Sequence, residues 1–253
     1  MTRRNVLITG ASSGLGRALA LAYAKDGGYL FLSGRDGPRL GEVADACRIL
    51  GAQASTALID VTDAGRMAEW ITRSDGTAPL DLVIANAGIS AGTGTTGDET
   101  AEQTRRIFKV NFDGVINTVL PAIDAMRPRR TGQIALMASL AGFRGMPTAP
   151  AYCASKAAVR IWGEGMRGVL ARDGIGLTVI CPGFVETPMT AVNRFPMPFL
   201  MSAEKAGQLM RRGIDANRAR LAYPWPMALV IWMMSILPPG WTDPFLARLP
   251  AKS

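Results

Sequence analysis

The sequence predicts a single α/β domain built on a doubly wound parallel sheet. Between residues 5 and 181, short apolar runs rich in branched side chains alternate with longer stretches of helical periodicity. The short runs are apolar throughout, which is typical of strands whose two faces are both covered by helices. A chain of 253 residues with 48% hydrophobic and 19% charged residues can bury one large core. We therefore expect one domain with an apolar extension after the sheet.

Six strands and their intervening helices can be assigned in order along the chain. The predicted strands lie at residues 5–9, 29–33, 54–59, 80–85, 133–138 and 176–181. The predicted helices lie at residues 14–26, 39–50, 64–73, 101–126 and 151–172. Strands separated by helices pair in parallel, and such sheets bind ligands at the carboxyl ends of their strands.

The last third of the chain departs from this pattern. Residues 182–201 are rich in Pro, Met and Phe and predict an irregular apolar segment, while residues 202–219 predict a helix. The apolar run at 227–237 is too short to span a bilayer. Within a single domain at 1–253, we distinguish the core motifs at 1–190, a substrate-loop and helix region at 191–222, and an apolar Pro- and Trp-rich segment at 223–253.

The composition excludes several classes of catalytic site. A chain without histidine has no Ser-His-Asp triad, no Cys-His pair and no histidine metal ligand. The three cysteines, Cys47, Cys153 and Cys181, lack the spacing of a zinc site, so we predict no metal and reduced thiols in the cytoplasm. The net charge of +8 suits an anionic cofactor or a membrane surface. The arginines form no stripe with interleaved aromatic residues, so we predict no nucleic-acid binding.

A glycine-rich turn follows the first predicted strand and opens the first helix. It reads Gly-x-x-x-Gly-x-Gly from residue 10 to residue 16. Glycine lets the backbone approach a pyrophosphate, and the helix N-terminus then offers N–H groups to the anion. At the start of a βαβ unit, the turn predicts a Rossmann-like dinucleotide site. The residues of this site are Gly10, Ser12, Ser13, Gly14, Leu15 and Gly16.

A tyrosine and a lysine four residues apart offer acid–base chemistry without histidine. Tyr152 and Lys156 share one face of a predicted helix. An unperturbed phenol has a pKa near ~10, and a neighbouring ammonium lowers that pKa because it favours the phenolate. Ser139 ends the fifth strand, where its hydroxyl can hydrogen-bond a substrate carbonyl. Together these residues predict proton donation to a ketone oxygen as hydride arrives at carbon.

These motifs resemble the short-chain dehydrogenase/reductase family over about residues 5 to 190. The resemblance implies that Ser139, Tyr152 and Lys156 are catalytic, and that Asn111 holds a water connecting Lys156 to solvent. It also implies cofactor contacts beyond the glycine turn, with Tyr152 and Lys156 again among them. The other contacts are Asp60, Val61, Asn86, Ala87, Gly88, Pro182, Gly183, Val185 and Thr187.

The end of the second strand bears on the choice of dinucleotide. In NAD-preferring relatives an acidic residue would stand at position 34, but this chain has Gly34 followed by Arg35. A guanidinium at Arg35 can pair with a 2′-phosphate, so the sequence favours NADP(H). NAD(H) stays open as the alternative because Asp36 lies one residue further and could hold the ribose.

The predicted activity is interconversion of a ketone and a secondary alcohol by hydride transfer with NADP(H). The predicted pocket walls are apolar, and methionine adapts to irregular apolar shapes, so we expect an apolar small-molecule substrate. The walls are Phe143, Met146, Phe184, Met189, Phe195, Met197, Phe199 and Met201. Two alternatives stay open: an NAD-dependent alcohol dehydrogenase, and a non-catalytic nucleotide-sensing protein on the same fold.

The Pro- and Trp-rich segment 223–241 has three interpretations. It covers the pocket or forms a dimer contact, it moves as a lid, or it attaches the protein to a membrane surface. The membrane interpretation follows from Trp225, Trp232 and Trp241, which suit a lipid interface, and from preceding arginines that suit anionic headgroups. These arginines are Arg211, Arg212, Arg218 and Arg220.

The family resemblance also bears on the partners of the chain. Members of the family commonly pair through two helices that match residues 101–126 and 151–172 here. The resemblance therefore implies a homodimer or homotetramer.

Overall fold

The computed structural model describes residues 3–93, 98–193 and 195–248 of the chain. In these residues seven strands form one sheet in the order β3-β2-β1-β4-β5-β6-β7, and every neighbouring pair is parallel. The strands are β1 Val6–Ile8, β2 Tyr29–Gly34, β3 Gln53–Leu58, β4 Leu82–Ala85, β5 Gly132–Met137, β6 Ile175–Pro182 and β7 Arg220–Tyr223. The predicted doubly wound fold is confirmed. The last five residues of the predicted segment 223–253 lie outside the described residues.

Helices cover both faces of this sheet. They are α1 Gly14–Ala24, α2 Gly37–Ile49, α3 Ala64–Thr77, α4 Ala101–Phe108, α5 Gly114–Met126, α6 Pro150–Ala171, α7 Pro188–Ala191, α8 Ala203–Asp215, α9 Trp225–Ile236 and α10 Pro239–Leu246. Helices α1, α2 and α8 pack on one face, and α3, α5 and α6 pack on the other. Polar side chains fix several helix starts; for example, Asp63 accepts a hydrogen bond from the Arg66 N–H at the start of α3.

The strands alternate their side chains between two separate cores. In β4, Leu82 and Ile84 belong to the core beside α1, while Val83 belongs to the core beside α5. All four residues of β4 are buried. This double coverage explains why β1 and β4, in the middle of the sheet, are apolar throughout, since neither face meets water. At the edge of the sheet, β3 contains Gln53, Ser55 and Thr56, and none of its residues is buried.

The order of the strands reverses at β1, and this reversal positions the site. Ile8 pairs with Leu32 of β2 on one side and with Ile84 of β4 on the other. In an open parallel sheet, a crevice for ligands opens beyond the carboxyl ends of the strands at such a reversal. The glycine turn begins at this point, two residues after β1.

The predicted helix at 101–126 is interrupted in its middle. A π turn at Lys109–Asp113 joins α4 to α5, and the Gly114 N–H bonds to the Lys109 carbonyl five residues earlier. Asn111 lies fully buried in this turn. A π turn inserts one residue into a helix and frequently marks a functional site. The sequence did not predict this π turn, because the apolar periodicity of a helix is present on both sides of the inserted residue.

The C-terminal third contains a strand that the sequence did not predict. The predicted helix at 202–219 ends at Asp215, and β7 then pairs with β6, with Ile180 opposite Leu221. Residues 220–223 lie between the predicted helix and the Pro- and Trp-rich segment, and their strand conformation depends on the neighbour with which they pair. The apolar run after β7 forms α9, in which no residue is buried. Across the described ranges, no helix is both long enough and apolar enough to cross a membrane.

Candidate active site

A cleft opens beyond the carboxyl ends of the strands, next to the reversal at β1. Nearly all of the predicted site residues line it together. They are Gly10, Ser12, Ser13, Gly14, Leu15, Arg35, Asp60, Val61, Asn86, Ala87, Gly88, Ser139, Tyr152, Lys156, Pro182, Gly183, Val185 and Thr187. The remaining two, Gly16 and Asn111, are buried behind the lining.

The glycine turn has a backbone conformation that favours glycine. Gly10 and Gly14 have φ angles of +66° and +54°. A Cβ on Gly16 would collide with the Gly10 carbonyl oxygen, so the turn packs against the start of α1 only without one. Within the described chain, the N-cap residue Ser13 makes no side-chain hydrogen bond to the helix. The first N–H groups of α1 are therefore available to an anion, and the turn fits the pyrophosphate of a dinucleotide.

Two side chains hold the glycine turn against the end of β4. The Thr9 hydroxyl oxygen accepts hydrogen bonds from the backbone N–H groups of Asn86 and Ala87, at 3.1 and 3.2 Å. The Asn86 amide in turn donates to the carbonyl oxygens of Thr9 and Gly10, at 2.9 and 3.1 Å. Asn86 is thus engaged in positioning the turn. Sequence reasoning missed Thr9, although a hydroxyl directly before a glycine turn is a signal that could have found it.

Ser139, Tyr152 and Lys156 form one cluster on the wall of the cleft. Ser139 follows β5, and its side chain is hydrogen-bonded to the Tyr152 side chain from the first turn of α6. Lys156 lies one turn further along α6, with its Nζ 5.9 Å from the centre of the Tyr152 ring. The same Nζ donates to the Met137 carbonyl oxygen at 2.8 Å. The spacing in the sequence therefore brings these three side chains together as predicted.

Burial controls the protonation of the cluster. Burial raises the pKa of Tyr152, and the hydrogen bond from Ser139 opposes this rise. Burial lowers the pKa of Lys156 to about 8, because an ammonium in an apolar setting is poorly solvated. The sequence argument expected Lys156 to lower the pKa of Tyr152. The direction for the protein alone is the opposite, because the loss of solvation outweighs the hydrogen bond.

Asn111 ties the π turn to the loop after β4. Its Oδ1 accepts from the Ile89 N–H at 2.8 Å, and its Nδ2 donates to the Ile89 carbonyl and to the Ser155 hydroxyl, each at 3.0 Å. Ser155 then donates to the Tyr152 carbonyl oxygen at 2.8 Å. The side chain of Asn111 is therefore occupied in positioning α6. The predicted role of Asn111 in holding a water stays a prediction.

At the other end of the cleft, two charged residues follow β2. The Arg35 guanidinium lies 3.9 Å from the Asp60 carboxylate and is more than half exposed. A hydrogen bond from the Thr62 backbone N–H holds the pKa of Asp60 below its usual value. Asp36 accepts a hydrogen bond from the Arg39 N–H at 3.1 Å and so caps α2. Arg35 and Asp36 both line the cleft, and Asp36 is in addition hydrogen-bonded to the backbone of α2.

Most of the predicted apolar walls do not line the cleft. Among the described residues, Met189 lines it, whereas Phe184, Phe195, Met197, Phe199 and Met201 do not. Phe184 meets Phe195 edge to face with 6.0 Å between ring centres. Phe143 and Met146 instead line a neighbouring groove against α10. The Phe143 ring lies against the guanidinium groups of Arg160 and Arg220, at 4.5 and 5.3 Å, so it faces away from the cluster.

Comparisons with known proteins agree with this geometry. The family model described as "short chain dehydrogenase" matches residues 4–196. A Myxococcus xanthus protein described as "Uncharacterized oxidoreductase" is 40% identical over 252 residues, covering 98% of each chain. The Nostoc sp. protein "Ketoacyl reductase HetN" is 32% identical over 202 residues, covering 79% of this chain and 70% of that protein.

Solved structures are similar over most of the chain. The "short-chain type dehydrogenase/reductase from Mycobacterium marinum" superimposes with a TM-score of 0.79 and 26% sequence identity. The match covers 87% of this chain and 93% of that one.

Proposed function

The chain belongs to the short-chain dehydrogenase/reductase family, and from that premise we propose that it is an NADP(H)-dependent oxidoreductase that interconverts a lipophilic ketone and a secondary alcohol. One observation supports this proposal most. Ser139, Tyr152 and Lys156 lie in the same cleft as the glycine turn. Carbonyl reduction needs a proton donor and a hydride carrier at one carbon–oxygen bond. The cluster offers the donor, and the glycine turn offers a place for the carrier.

The cluster can protonate a ketone in a defined order of contacts. When bound, the dinucleotide supplies the hydride to the carbonyl carbon. Ser139 donates a hydrogen bond to the carbonyl oxygen and stabilises the negative charge that develops there. Tyr152 transfers its phenolic proton to that oxygen, which completes the alcohol. Lys156 stabilises the phenolate that remains, and the reverse sequence oxidises the alcohol.

The burial of the cluster suits a proton donor. Because burial raises the pKa of Tyr152, the phenol stays protonated at neutral pH and has a proton to give. Lys156, with a pKa of about 8, keeps most of its positive charge at the same pH. At neutral pH the cluster therefore holds a protonated phenol beside an ammonium, which is the protonation state that ketone reduction needs.

The preference for NADP(H) rests on the residues after β2. Arg35 lines the cleft, and its side chain is exposed enough to pair with a 2′-phosphate. A guanidinium is well suited to bind a phosphate because it can donate two parallel hydrogen bonds. Asp36, the residue that would favour NAD(H), already caps α2. A side chain at Gly34 would press on Ser12, since its Cβ would lie 3.2 Å from the Ser12 Oγ. These contacts support the phosphorylated dinucleotide over the alternative.

The proposed substrate class rests on the walls of the cleft and on a relative. Met189 and Val185 line the same cleft as the cluster, and Phe184, which meets Phe195 edge to face, lies between the lining residues Gly183 and Val185 in the chain. The similar Nostoc protein is named a ketoacyl reductase. The name describes an enzyme that reduces a ketone on an acyl chain. We therefore assign an apolar ketone or the corresponding alcohol to this chain.

We assign the oligomer and compartment on separate observations. Leu120 on α5, with Ile161 and Val169 on α6, leaves large apolar side chains exposed on the two helices through which the family pairs. This face supports a homodimer. The unbridged, buried thiols of Cys47 and Cys181 suit a reducing cytoplasm.

A ketone series tests this proposal. NADPH oxidation is followed with methyl ketones of increasing chain length, with small polar ketones as the matched comparison and NADH as the second cofactor. We expect kcat/KM to rise with chain length and NADPH to be preferred. Activity confined to small polar ketones would contradict the substrate class. Equal use of NADH would contradict the cofactor assignment.

A further inference from the structure

The C-terminal helices present an apolar surface that nothing in the described chain covers. Helix α9 carries no charged side chain, yet none of its residues is buried. Exposed large apolar side chains continue from α9 onto α10. We call them the C-terminal apolar surface, and its main members are Trp225, Val230, Trp232, Ile236, Trp241 and Phe245. An exposed apolar patch of this kind marks a site of protein or membrane contact.

Both helices are fixed to the domain on their opposite side. Pro224 and Met227 pack so closely on Gly183 that a Cβ there would lie 3.0 Å from atoms of both. On α10, Arg144 donates to the Thr242 hydroxyl at 2.9 Å and to the Asp243 carboxylate at 2.8 Å. Thr242 and Leu246 are buried in this contact. The apolar surface is therefore held facing outward, on a fixed base.

This surface adjoins the mouth of the cleft. Gly183, on which Met227 packs, also lines the cleft beside the cluster. The next residue, Phe184, contacts Phe195 in the segment 195–201. In that segment Phe199 and Leu200 are themselves exposed and apolar. The exposed apolar surface thus reaches from the C-terminal helices towards the entrance for substrate.

The charge around the surface favours an anionic partner. In the described part of this region, residues 216–248 contain three basic side chains, Arg218, Arg220 and Arg248, and one acidic side chain, Asp243. Asp243 is paired with Arg144 at 2.8 Å, and Arg220 is paired with Glu164 at 2.9 Å. Arg218 and Arg248, which take part in no ion pair among the described residues, give this region its positive charge. A partner suited to exposed apolar side chains and nearby basic side chains must offer an apolar region next to negative charge. A bilayer that contains anionic lipid offers both at its interface, where tryptophan side chains are also well accommodated.

We propose that the C-terminal apolar surface docks this protein on an anionic membrane, with the mouth of the cleft at the lipid interface. The twelve residues of α9 extend only about 18 Å, so the helix lies in the interface instead of crossing the bilayer. Apolar ketones dissolved in the lipid then reach the cleft without passing through water. This last step rests on the proposed function, whereas docking itself does not.

Vesicle flotation tests the docking. The full chain is mixed with vesicles of phosphatidylcholine and phosphatidylglycerol in equal amounts, and separately with vesicles of phosphatidylcholine alone. We expect the wild type to float with the anionic vesicles and its tryptophan emission to shift to shorter wavelength. The double variant Trp232→Gln, Ile236→Gln should reduce the bound fraction roughly tenfold, since binding strength follows the apolar area inserted.

A matched control tests whether flotation depends on the C-terminal apolar surface or on any exposed apolar side chain. Ile49 on α2 is 86% exposed, so Ile49→Gln changes an equally apolar surface site outside the C-terminal helices. It should float as the wild type does. Circular dichroism melting of every variant reports whether its fold is intact, and Phe245→Gln provides a second test of the surface if the double variant does not fold.

The outcomes distinguish the proposal from its alternatives. Unchanged flotation of both surface variants, or no flotation of the wild type, would overturn the docking. The surface would instead bind a second copy of the chain if the wild type forms a concentration-dependent oligomer that does not float with vesicles, and if the double variant is monomeric. NADPH oxidation of water-soluble ketones without vesicles measures the proposed function alone, so failure of catalysis and failure of docking are read separately.

Discussion

Strand β4 and helix α9 are both apolar, yet the chain uses them in opposite ways. Every residue of β4 is buried between two layers of helices. No residue of α9 is buried, because the helix follows the edge strand β7 and packs on one side only. Apolar sequence alone therefore does not determine burial; the number of neighbouring elements does. In β4 the apolar side chains stabilise the fold, and in α9 they remain available to a partner.

The polar residues show the reverse arrangement. Asn111 and Ser155 are completely buried, and Lys156 is 4% exposed, all of them behind or within the cleft. Buried polar groups and exposed apolar patches are the two departures from ordinary placement that carry information. The first departure marks the surroundings of the cluster that we propose to be catalytic, and the second marks the surface that we propose to bind a membrane. The two proposals therefore concern separate parts of the molecule.

The sharpest test of the contrast is a pair of isoleucine substitutions. Ile84 in β4 is fully buried, whereas Ile236 in α9 is 64% exposed. Ile84→Ala should lower the free energy of unfolding by about 3 to 4 kcal/mol through lost burial and the cavity that remains. Ile236→Ala should change it by less than about 0.5 kcal/mol. Urea denaturation measures both values, and equal losses would show that α9 is part of the folded core.

Substitution of an arginine in the cleft and of one on the exposed C-terminal side should affect cofactor binding differently. Arg35→Ala should raise the KM for NADPH roughly thirtyfold, because a charged hydrogen bond to the 2′-phosphate contributes about 2 kcal/mol. The KM for NADH should stay near its wild-type value. Arg248→Ala, on the exposed C-terminal side, is the control and should leave both values unchanged. Unaltered NADPH affinity in the first variant would remove the basis for preferring NADP(H).

The pH dependence should also differ between the two regions. Lys156 has a pKa of about 8, so it is charged below this pH and loses its proton as the pH rises through it. Ketone reduction should therefore fall, by roughly tenfold in kcat/KM between about pH 7 and about pH 9. Arginine stays protonated over that range, so vesicle flotation should not change. The expected difference between the two regions would be contradicted if kcat/KM did not change with pH, or if the fraction of protein that floats fell with pH as kcat/KM does.

The sequence was sufficient for the features that depend on local spacing. The strands β1 to β6, the glycine turn and the Tyr152–Lys156 pair each follow from a periodicity or a fixed interval in the chain. The structure brings Ser139 to the same pair because a parallel sheet collects the carboxyl ends of its strands at one edge. These parts of the candidate site could be predicted without coordinates.

The features that depend on tertiary neighbours could not be read from the sequence. β7 is a strand because β6 lies beside it. Phe143 faces away from the cluster because the short turn at Leu140–Gly142 directs it toward Arg160 and Arg220. The pKa of Tyr152 is raised because its surroundings are apolar, which spacing along a helix does not reveal.

Replacement of the Tyr152 hydroxyl tests the central claim most directly. Tyr152→Phe keeps the ring and removes the proton donor, so kcat for NADPH-dependent ketone reduction should fall roughly a thousandfold. Dinucleotide binding, followed by NADPH fluorescence, should be preserved, because the glycine turn and Arg35 are untouched. Tyr29→Phe is the matched control, since Tyr29 stacks on Phe31 away from the cleft and should keep full activity. Wild-type turnover by Tyr152→Phe would contradict the assignment of Tyr152 as the proton donor.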